Sequence, residues 1–548
     1  MDVDMVLGPG INIKRNPLCG RNFEYFSEDP YLAGMIGAAW IKGAQSKGVA
    51  ACLKHFAGNN QENDRLLSNS LIDATALHEL YLEAFRIAVQ TAQPEGIMCS
   101  YNQINGTYSS DNHYLLTDVL RNQWSFKGAV VTDWGALNDK VNSINAGGDL
   151  EMPSSYGMFD QEALAALKIG KLKQAALKRA AENVVKIAEK KRPDFKGDRE
   201  TLLAENGQLA QRIEENAAVL LKNDDHILPL STTEKLLVVG QMAADTRYQG
   251  AGSSHINPPT KVSILDGLTN ASIAYDYQQG YSFSNDNHDQ LAQNAIEAAK
   301  GAQNVVVVAG LPENYESEGF DRPTMKLPSN QNALIEELAA VNPNLVVLLI
   351  AGAPVELPWR TKVKGLINLY LGGEFVGNAA ANLLSGKVNL SGKLAESYPA
   401  SYQDVPSADI YDRNPRSVPY AESLYVGYRY YEKASVPVAF PFGFGLSYST
   451  FTLSNLTLSQ QQIAGDQAIN VSVTLTNTGE RDGAEVVEVY VGNPTKRPLK
   501  PEKELKGFQK PSSRPANQKS SPFGFLPNLS VSGTISSRSG SCLLLINQ

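Results

Sequence analysis

The stretch Gly128-Ala-Val-Val-Thr-Asp133-Trp134-Gly135 limits the fold more than any other in this chain. A short, β-branched apolar run bounded by glycine reads as a buried strand, and this one stops abruptly on an acid, an indole and a glycine. In a barrel of parallel strands the packed interior has no room for such groups. They collect at the carboxyl ends of the strands, where sites are built. A carboxylate beside an indole suits a sugar, with the ring as an apolar platform and the acid at the anomeric carbon. An aspartate capping a helix beside a packing tryptophan reads the same from these residues alone.

The surrounding chain repeats the pattern. Short apolar runs at 3–7, 49–53, 96–99 and 129–131, with a weaker one at 149–152, alternate with helical stretches at 30–46, 74–90, 112–123 and 160–190. Such alternation predicts a parallel α/β layer structure. The runs end in Gly8-Pro9-Gly10, Lys54-His55, Ser100-Tyr101-Asn102 and Thr132-Asp133-Trp134, so polar groups crowd one rim. That crowding favours a barrel over an open sheet. A charged, proline-containing linker follows at 191–198.

At 548 residues the chain divides into several domains. A second α/β unit is predicted from strands at 236–240, 304–310, 345–351 and 366–371, with helices at 202–221, 289–299 and 329–341. No glycine-rich phosphate loop follows its first strand, which argues against a nucleotide. A connector rich in proline and tyrosine leads to period-two runs at 451–458, 468–476 and 484–491, the pattern of sandwich strands.

Hydrophobic content of 43%, charged content of 19% and a net charge of −8 describe a globular protein that avoids nucleic acid and anionic membranes. No apolar run reaches the roughly 20 residues of a membrane span. No basic segment and apolar core open the chain, so a cytoplasmic location is expected. Cys19, Cys52, Cys99 and Cys542 lack metal spacing and are expected to be reduced structural thiols.

The ordered motifs resemble those of glycoside hydrolase family 3, the β-glucosidases and their relatives. They run from Gly8-Pro-Gly-Ile-Asn-Ile-Lys-Arg to Arg21-Asn-Phe-Glu-Tyr-Phe-Ser-Glu-Asp29-Pro30, then Lys54-His55-Phe-Ala-Gly-Asn-Asn-Gln-Glu-Asn-Asp-Arg65. Ser100-Tyr101-Asn102, Thr132-Asp133-Trp134-Gly135 and Glu316-Ser-Glu318-Gly-Phe-Asp321-Arg322 follow, then Ser391-Gly-Lys-Leu394 and Phe440-Pro-Phe-Gly-Phe-Gly-Leu-Ser-Tyr448. The resemblance implies an α/β chain: an incomplete TIM-like barrel over 1–192 and an α/β sandwich over 199–400. A connector over 401–444, an incomplete fibronectin type III-like sandwich over 445–510 and an irregular tail over 511–548 complete it.

The chemistry it implies is retaining hydrolysis of terminal β-D-glucosyl residues. Such enzymes place two carboxyl groups about 5–5.5 Å apart, one attacking and one shuttling the proton. Asp133 matches the nucleophile and Glu318 the acid/base, so the site is expected in a cleft between domains. Glu316, two residues away, can be confused with Glu318, and a solvated acidic loop is the plainer alternative for both. Arg21, Lys54, His55 and Arg65 match positions that hold the sugar's hydroxyls. Their cations are expected to keep Asp133 charged. Tyr101 matches the residue that orients the nucleophile, and a buried, satisfied tyrosine is its alternative. Trp134 would stack on sugar or aglycone, or else pack in the core. Glu374, in Gly372-Gly-Glu-Phe375, reads as part of a packing loop. The chain lacks the Gly-His-Gly step and Asp-Ser-His-like loop of the N-acetylglucosaminidase branch. No metal or organic cofactor is implied. The expected partners are small β-glucosides or short oligosaccharides, with neither nucleic acid nor membrane, and a homo-oligomer is compatible with the sequence.

Two departures qualify the resemblance. The chain begins inside the barrel, without the first strands and an aspartate they carry, which predicts two exposed sheet edges. Beyond Lys510 the alternation gives way to a Ser-, Pro- and Asn-rich tail, with the last sandwich strands expected to be missing. β-Xylosidase or α-L-arabinofuranosidase activity, or a catalytically silent sugar-binding protein, are the competing readings. The expectation for the purified chain is weak stability and little turnover of an aryl β-glucoside. Circular dichroism melts and a turnover assay check it; a cooperative melt with full activity refutes it.

Overall fold

The computed structural model describes residues 3–190, 196–284, 288–460, 469–492, 500–514, 528–531 and 543–547. Cys542 and most of the linker at 191–198 lie outside them. The chain forms two compact units. The first comprises Met1–Lys196, Gly319–Asp321 and Val405–Tyr430; the second comprises Gly197–Glu318, Arg322–Asp404 and Tyr431–Gln548.

In the first unit the strands Met5–Val6, Ala50–Phe56, Gly96–Cys99 and Ala129–Thr132 lie side by side in chain order, all parallel. Every residue of the last three is buried, the signature of a sheet covered on both faces. A single bridge from Val131 to Leu150 extends the sheet where a weak strand is expected. The described strands form an open sheet and do not close on themselves.

The helix Pro30–Ser46 starts where predicted because Asp29 caps it and Pro30 fills its first turn. It crosses the helix Glu83–Ala92 at Gly34, where a Cβ would come 2.8 Å from the Ala84 carbonyl oxygen and the Ile87 Cβ. The helix expected at 160–190 is instead two, Met158–Lys168 and Gln174–Ala188, broken around Gly170 with its positive φ.

Val405–Tyr430, read from sequence as part of a connector, belongs to the first unit. Ser417–Pro419 pairs in parallel with Asn69–Leu71. Arg15 forms a buried ion pair with Glu422 and lies over the Tyr420 ring, 3.9 Å from its centroid. Val418, Tyr420, Leu424 and Val426 join the core around Leu53, Phe56 and Phe85.

The second unit holds a six-stranded sheet in the order Tyr275–Gln278, Leu236–Val239, Val305–Gly310, Leu345–Ile350, Gly365–Asn368 and Val219–Asn223. The first five are parallel and the last runs antiparallel. The helix expected at 202–221 therefore ends at Ala217, and Val219–Asn223 becomes an edge strand whose apolar residues meet the sheet. Tyr275–Gln278 was not anticipated, because its alternating tyrosines lack an apolar run.

The described residues after 450 form two three-stranded antiparallel sheets and a short antiparallel pair, Gly483–Ala484 with Ser512–Ser513. Val471, Val473, Val487 and Val489 make their small core. The expected irregular tail gives way at two places. Asn528–Val531 pairs with Ile469–Ser472, and Leu543–Asn547 pairs with Glu488–Gly492. The apolar run Leu543-Leu-Leu-Ile546 is the sequence reason for the second.

Trp359 is fully buried in the second unit, and its indole N–H donates to Asn332 Oδ1 at 2.8 Å. Trp359→Ala is expected to lower stability by about 3–5 kcal/mol, from lost burial and the cavity left behind. Urea denaturation measures the loss.

Candidate active site

The carboxyl end of the parallel sheet carries the polar residues of the first unit. Asp133 follows the strand Ala129–Thr132 and is only 7% exposed. Its Oδ1 accepts the Trp134 N–H at 2.7 Å and its own N–H donates to the Cys99 carbonyl at 3.2 Å. It does not cap a helix: the next one, Lys140–Ala146, is capped by Asp139. Oδ2 is buried, meets no donor at bonding distance and lies 3.5 Å from His55 Nε2.

His55 is fully buried at the end of its strand. Asn12 brackets its backbone, taking the His55 N–H at 2.8 Å and donating to the His55 carbonyl at 2.9 Å. The Tyr25 hydroxyl sits 3.2 Å from Nδ1 and 3.2 Å from Asn59 Nδ2. Burial, then the charges of Arg21, Lys54 and Arg65, push the imidazole pKa well below its usual value, so His55 is neutral. We assign its hydrogen to Nε2, the tautomer that presents a donor to Asp133.

Arg21 and Lys54 converge on one acid, Glu24. Arg21 pairs with Oε1, and Lys54 Nζ stands 3.5 Å from Oε2. Arg65 binds Glu62 at 2.6 Å and lies over the Tyr101 ring, 4.5 Å from its centroid. The Tyr101 hydroxyl bears on the Asp133 carboxylate. Arg21, Lys54, His55, Arg65, Tyr101 and Asp133 thus form one connected group within a single unit. Trp134, at 60% exposure, is not a core residue, and its indole is open.

One electrostatic expectation changes. Arg21 and Lys54 do favour the charged form of Asp133, as do the Trp134 N–H and Tyr101. Burial is the largest influence, and it carries the Asp133 pKa above the usual carboxylate range.

Glu318 lies in the second unit, separate from its neighbour in role. Glu316 is fully buried, accepting Arg247 Nη1 at 2.6 Å and the Gly352 N–H at 2.7 Å through one oxygen. That oxygen is committed to these two partners, while Oε2 is buried without one. Glu318 is half-buried, and its Oε2 accepts the Ser253 N–H at 2.7 Å. The Glu374 backbone carbonyl accepts the Val262 N–H at 2.8 Å.

Sequence reasoning missed Glu24, Tyr25, Asn12 and Glu62. All four sit inside the quoted motifs, and Glu24 and Glu62 also stand three residues from Arg21 and Arg65, the spacing of a local ion pair. Asp321, immediately downstream of Glu318-Gly-Phe, accepts backbone N–H groups of Gly20 (3.0 Å), Glu62 (2.9 Å) and Asn63 (3.1 Å). The Gly319 N–H donates to Glu62 Oε2 at 2.8 Å. Among the described residues no cluster of side chains is arranged to hold a metal, and no helix is long and apolar enough to cross a membrane. Cys19, Cys52 and Cys99 are buried free thiols.

A buried carboxylate with one unengaged oxygen, ringed by fixed cations and a neutral imidazole, can attack an electrophile held by hydroxyl contacts. Residues 1–187 match the model of the glycosyl hydrolase family 3 N terminal domain, and residues 218–448 match that of the family's C-terminal domain. Thermostable beta-glucosidase B of Acetivibrio thermocellus is 45% identical over 530 residues, 95% of this chain and 70% of that one. An exo-alpha-(1->6)-L-arabinopyranosidase of Bifidobacterium breve is 44% identical over 520 residues, 93% of this chain and 68% of its own. The crystal structure of a Bifidobacterium adolescentis GH3 beta-glucosidase superposes with a TM-score of 0.89 at 43% identity, covering 94% of this chain and 76% of that one.

Glu62 provides a test of the electrostatics. Burial pushes its pKa from 4.5 up to about 7, with Asp321 adding to the rise while Arg21, Arg65 and the Gly319 N–H oppose it. A pKa raised by folding means stability that is intact below about 4.5 and lost as pH climbs through about 7. Glu62→Gln removes that loss, so its stability relative to the parent should improve by roughly 3 kcal/mol across the window. Urea midpoints at about pH 4.5 and about pH 8 measure it, and a difference independent of pH refutes the assignment.

Proposed function

Because the chain belongs to glycosyl hydrolase family 3, we propose that this glycoside hydrolase is a retaining, exo-acting β-glucosidase with Asp133 as nucleophile and Glu318 as acid/base. The observation that carries the reading is the Asp133 Oδ2 atom, buried and unengaged beside a neutral His55. A nucleophile needs an oxygen that is not already spent on a hydrogen bond.

In the first step Asp133 Oδ2 bonds to the anomeric carbon. The glycosidic bond breaks, and its electron pair leaves with the aglycone oxygen, which takes the proton of the Glu318 carboxylic acid. In the second step the Glu318 carboxylate removes a proton from water, the water oxygen bonds to the anomeric carbon, and Asp133 is released. Arg21, Lys54, His55 and Arg65 would hold the sugar hydroxyls, and Glu24 and Glu62 fix the cations beforehand. The exposed Trp134 indole would take the face of the sugar or aglycone.

A second substrate reading is favoured by the arabinopyranosidase relatives: a terminal α-L-arabinopyranoside, a pentopyranoside without an exocyclic hydroxymethyl group. Comparing kcat/KM on aryl β-D-glucoside and aryl α-L-arabinopyranoside decides between them.

The mechanism is tested by incubation with a 2-deoxy-2-fluoro glycoside of the preferred sugar carrying a good leaving group. Peptide mass spectrometry should find the sugar on Asp133. Asp133→Asn should take no label and lose about 10⁴-fold or more in kcat. A label on another carboxylate, or release of product with inverted configuration by proton NMR, overturns the assignment.

A further inference from the structure

Glu318 is held by a turn from a distant part of the second unit. The Glu318 N–H donates to the Ala251 carbonyl at 3.4 Å, and the Ser253 N–H returns a bond to Glu318 Oε2 at 2.7 Å. Between them, Gly252 has a φ of +93°. A Cβ on Gly252 would come 2.5 Å from the Glu318 Cβ and 3.0 Å from Oε2, a separation that real Cβ atoms do not adopt. The glycine is therefore required twice, for its backbone conformation and for the space it leaves.

The turn is itself pre-shaped. The His255 N–H donates to the Gly252 carbonyl at 3.1 Å, closing a four-residue turn with Ser253 and Ser254 at its corners. Gln249 locks the far end, donating to the Ile256 carbonyl at 2.8 Å and accepting the Ile256 N–H at 3.0 Å. On the Glu318 side, Glu316 is anchored by Arg247 and Gly352, so the strand of chain entering Glu318 is fixed as well.

We propose that the Gly252–Ser253 turn is the positioning element of Glu318, setting its carboxyl group for proton transfer and stabilising the carboxylate formed when the proton leaves. The inference rests on Glu318 being the acid/base. A backbone N–H donates best to the carbonyl-type oxygen of the acid, which favours the proton on Oε1, and after transfer the same N–H stabilises the charge that the two oxygens share. Gly252 and Ser253 are positioning residues: they act through Glu318 and need touch no sugar.

Three variants test this, read as kcat/KM on two glycosides of the preferred sugar. One has an alkyl leaving group, which needs a proton; the other has 2,4-dinitrophenol, which leaves without one. Ser253→Pro removes the N–H and sets its ring Cδ where that hydrogen pointed, against Glu318 Oε2, and Gly252→Ala likewise displaces the carboxyl group. Ser253→Ala keeps the N–H. The first two should lose about tenfold or more on the alkyl glycoside, part of the roughly 10²–10⁴ that general acid catalysis supplies, and less than about twofold on the dinitrophenyl glycoside. Ser253→Ala should match the parent on both.

Glu318→Gln run in parallel separates the two levels of the argument. If it shows the selective loss and neither turn variant does, the positioning proposal is wrong while the acid/base assignment stands. If Glu318→Gln shows no selectivity, both fall. A Ser253→Ala variant as damaged as Ser253→Pro, or equal losses on both substrates in variants that melt like the parent, also overturns the proposal.

Discussion

Parallel strands covered on both faces leave their charged residues nowhere to go but the ends of the strands. The strands Ala50–Phe56, Gly96–Cys99 and Ala129–Thr132 are buried along their whole length, so Lys54, His55, Tyr101 and Asp133 meet where the sheet stops. Burying so many polar groups is tolerable only because most are paired. Arg21 and Lys54 share Glu24, Arg65 takes Glu62, and Asn12 and Tyr25 hold His55. Several buried polar atoms have no hydrogen-bond partner, Asn59 Oδ1 and Glu62 Oε1 among them, and two others form a pair. Asp133 Oδ2 and His55 Nε2 face one another at 3.5 Å with no closer partner. Unmet hydrogen-bonding capacity in a buried pair requires an explanation, and a bound ligand or an ordered water supplies one.

Fixing the cations on acids before a ligand arrives has a chemical effect. Arg21 and Lys54 do not have to be recruited from solvent, so little side-chain ordering remains to oppose binding. The same arrangement tempers the field at Asp133: Glu24 neutralises part of the positive charge, and burial then outweighs the remainder. The environment of Asp133 is balanced by opposing effects of similar kind.

Much of this was legible in the sequence, and what was not shares one physical reason. Strand ends, caps and the Asp133–Trp134 step are local, and local signals survive in one dimension. The helix Pro30–Ser46 was readable from Asp29 and Pro30 alone. Glu316 and Glu318 are indistinguishable in sequence, being two residues apart in one loop; only long-range partners, Arg247 for one and Ser253 for the other, separate them. Glu24 and Glu62 are exceptions to that reason: each lies three residues from the arginine it pairs with, Arg21 and Arg65, so a local cue was present, and only the approach of Lys54 to Glu24 and of the Gly319 N–H to Glu62 is long-range. Val219–Asn223 looked like the end of a helix because its apolar run is short and adjoins a good helix former, and its strand identity comes from pairing with residues about 145 positions away.

The division of the chain has a consequence for how the molecule is made. The backbone passes from one unit to the other after residues 196, 318, 321, 404 and 430. The core of the first unit includes Tyr420 and Val426, and Arg15 has its counter-ion in Glu422. During synthesis the amino-terminal segment therefore waits, with part of its interior unfilled, until some 235 further residues have left the ribosome. At the usual roughly 5–20 residues per second that is an interval of tens of seconds, long enough for chaperone capture to compete with self-association.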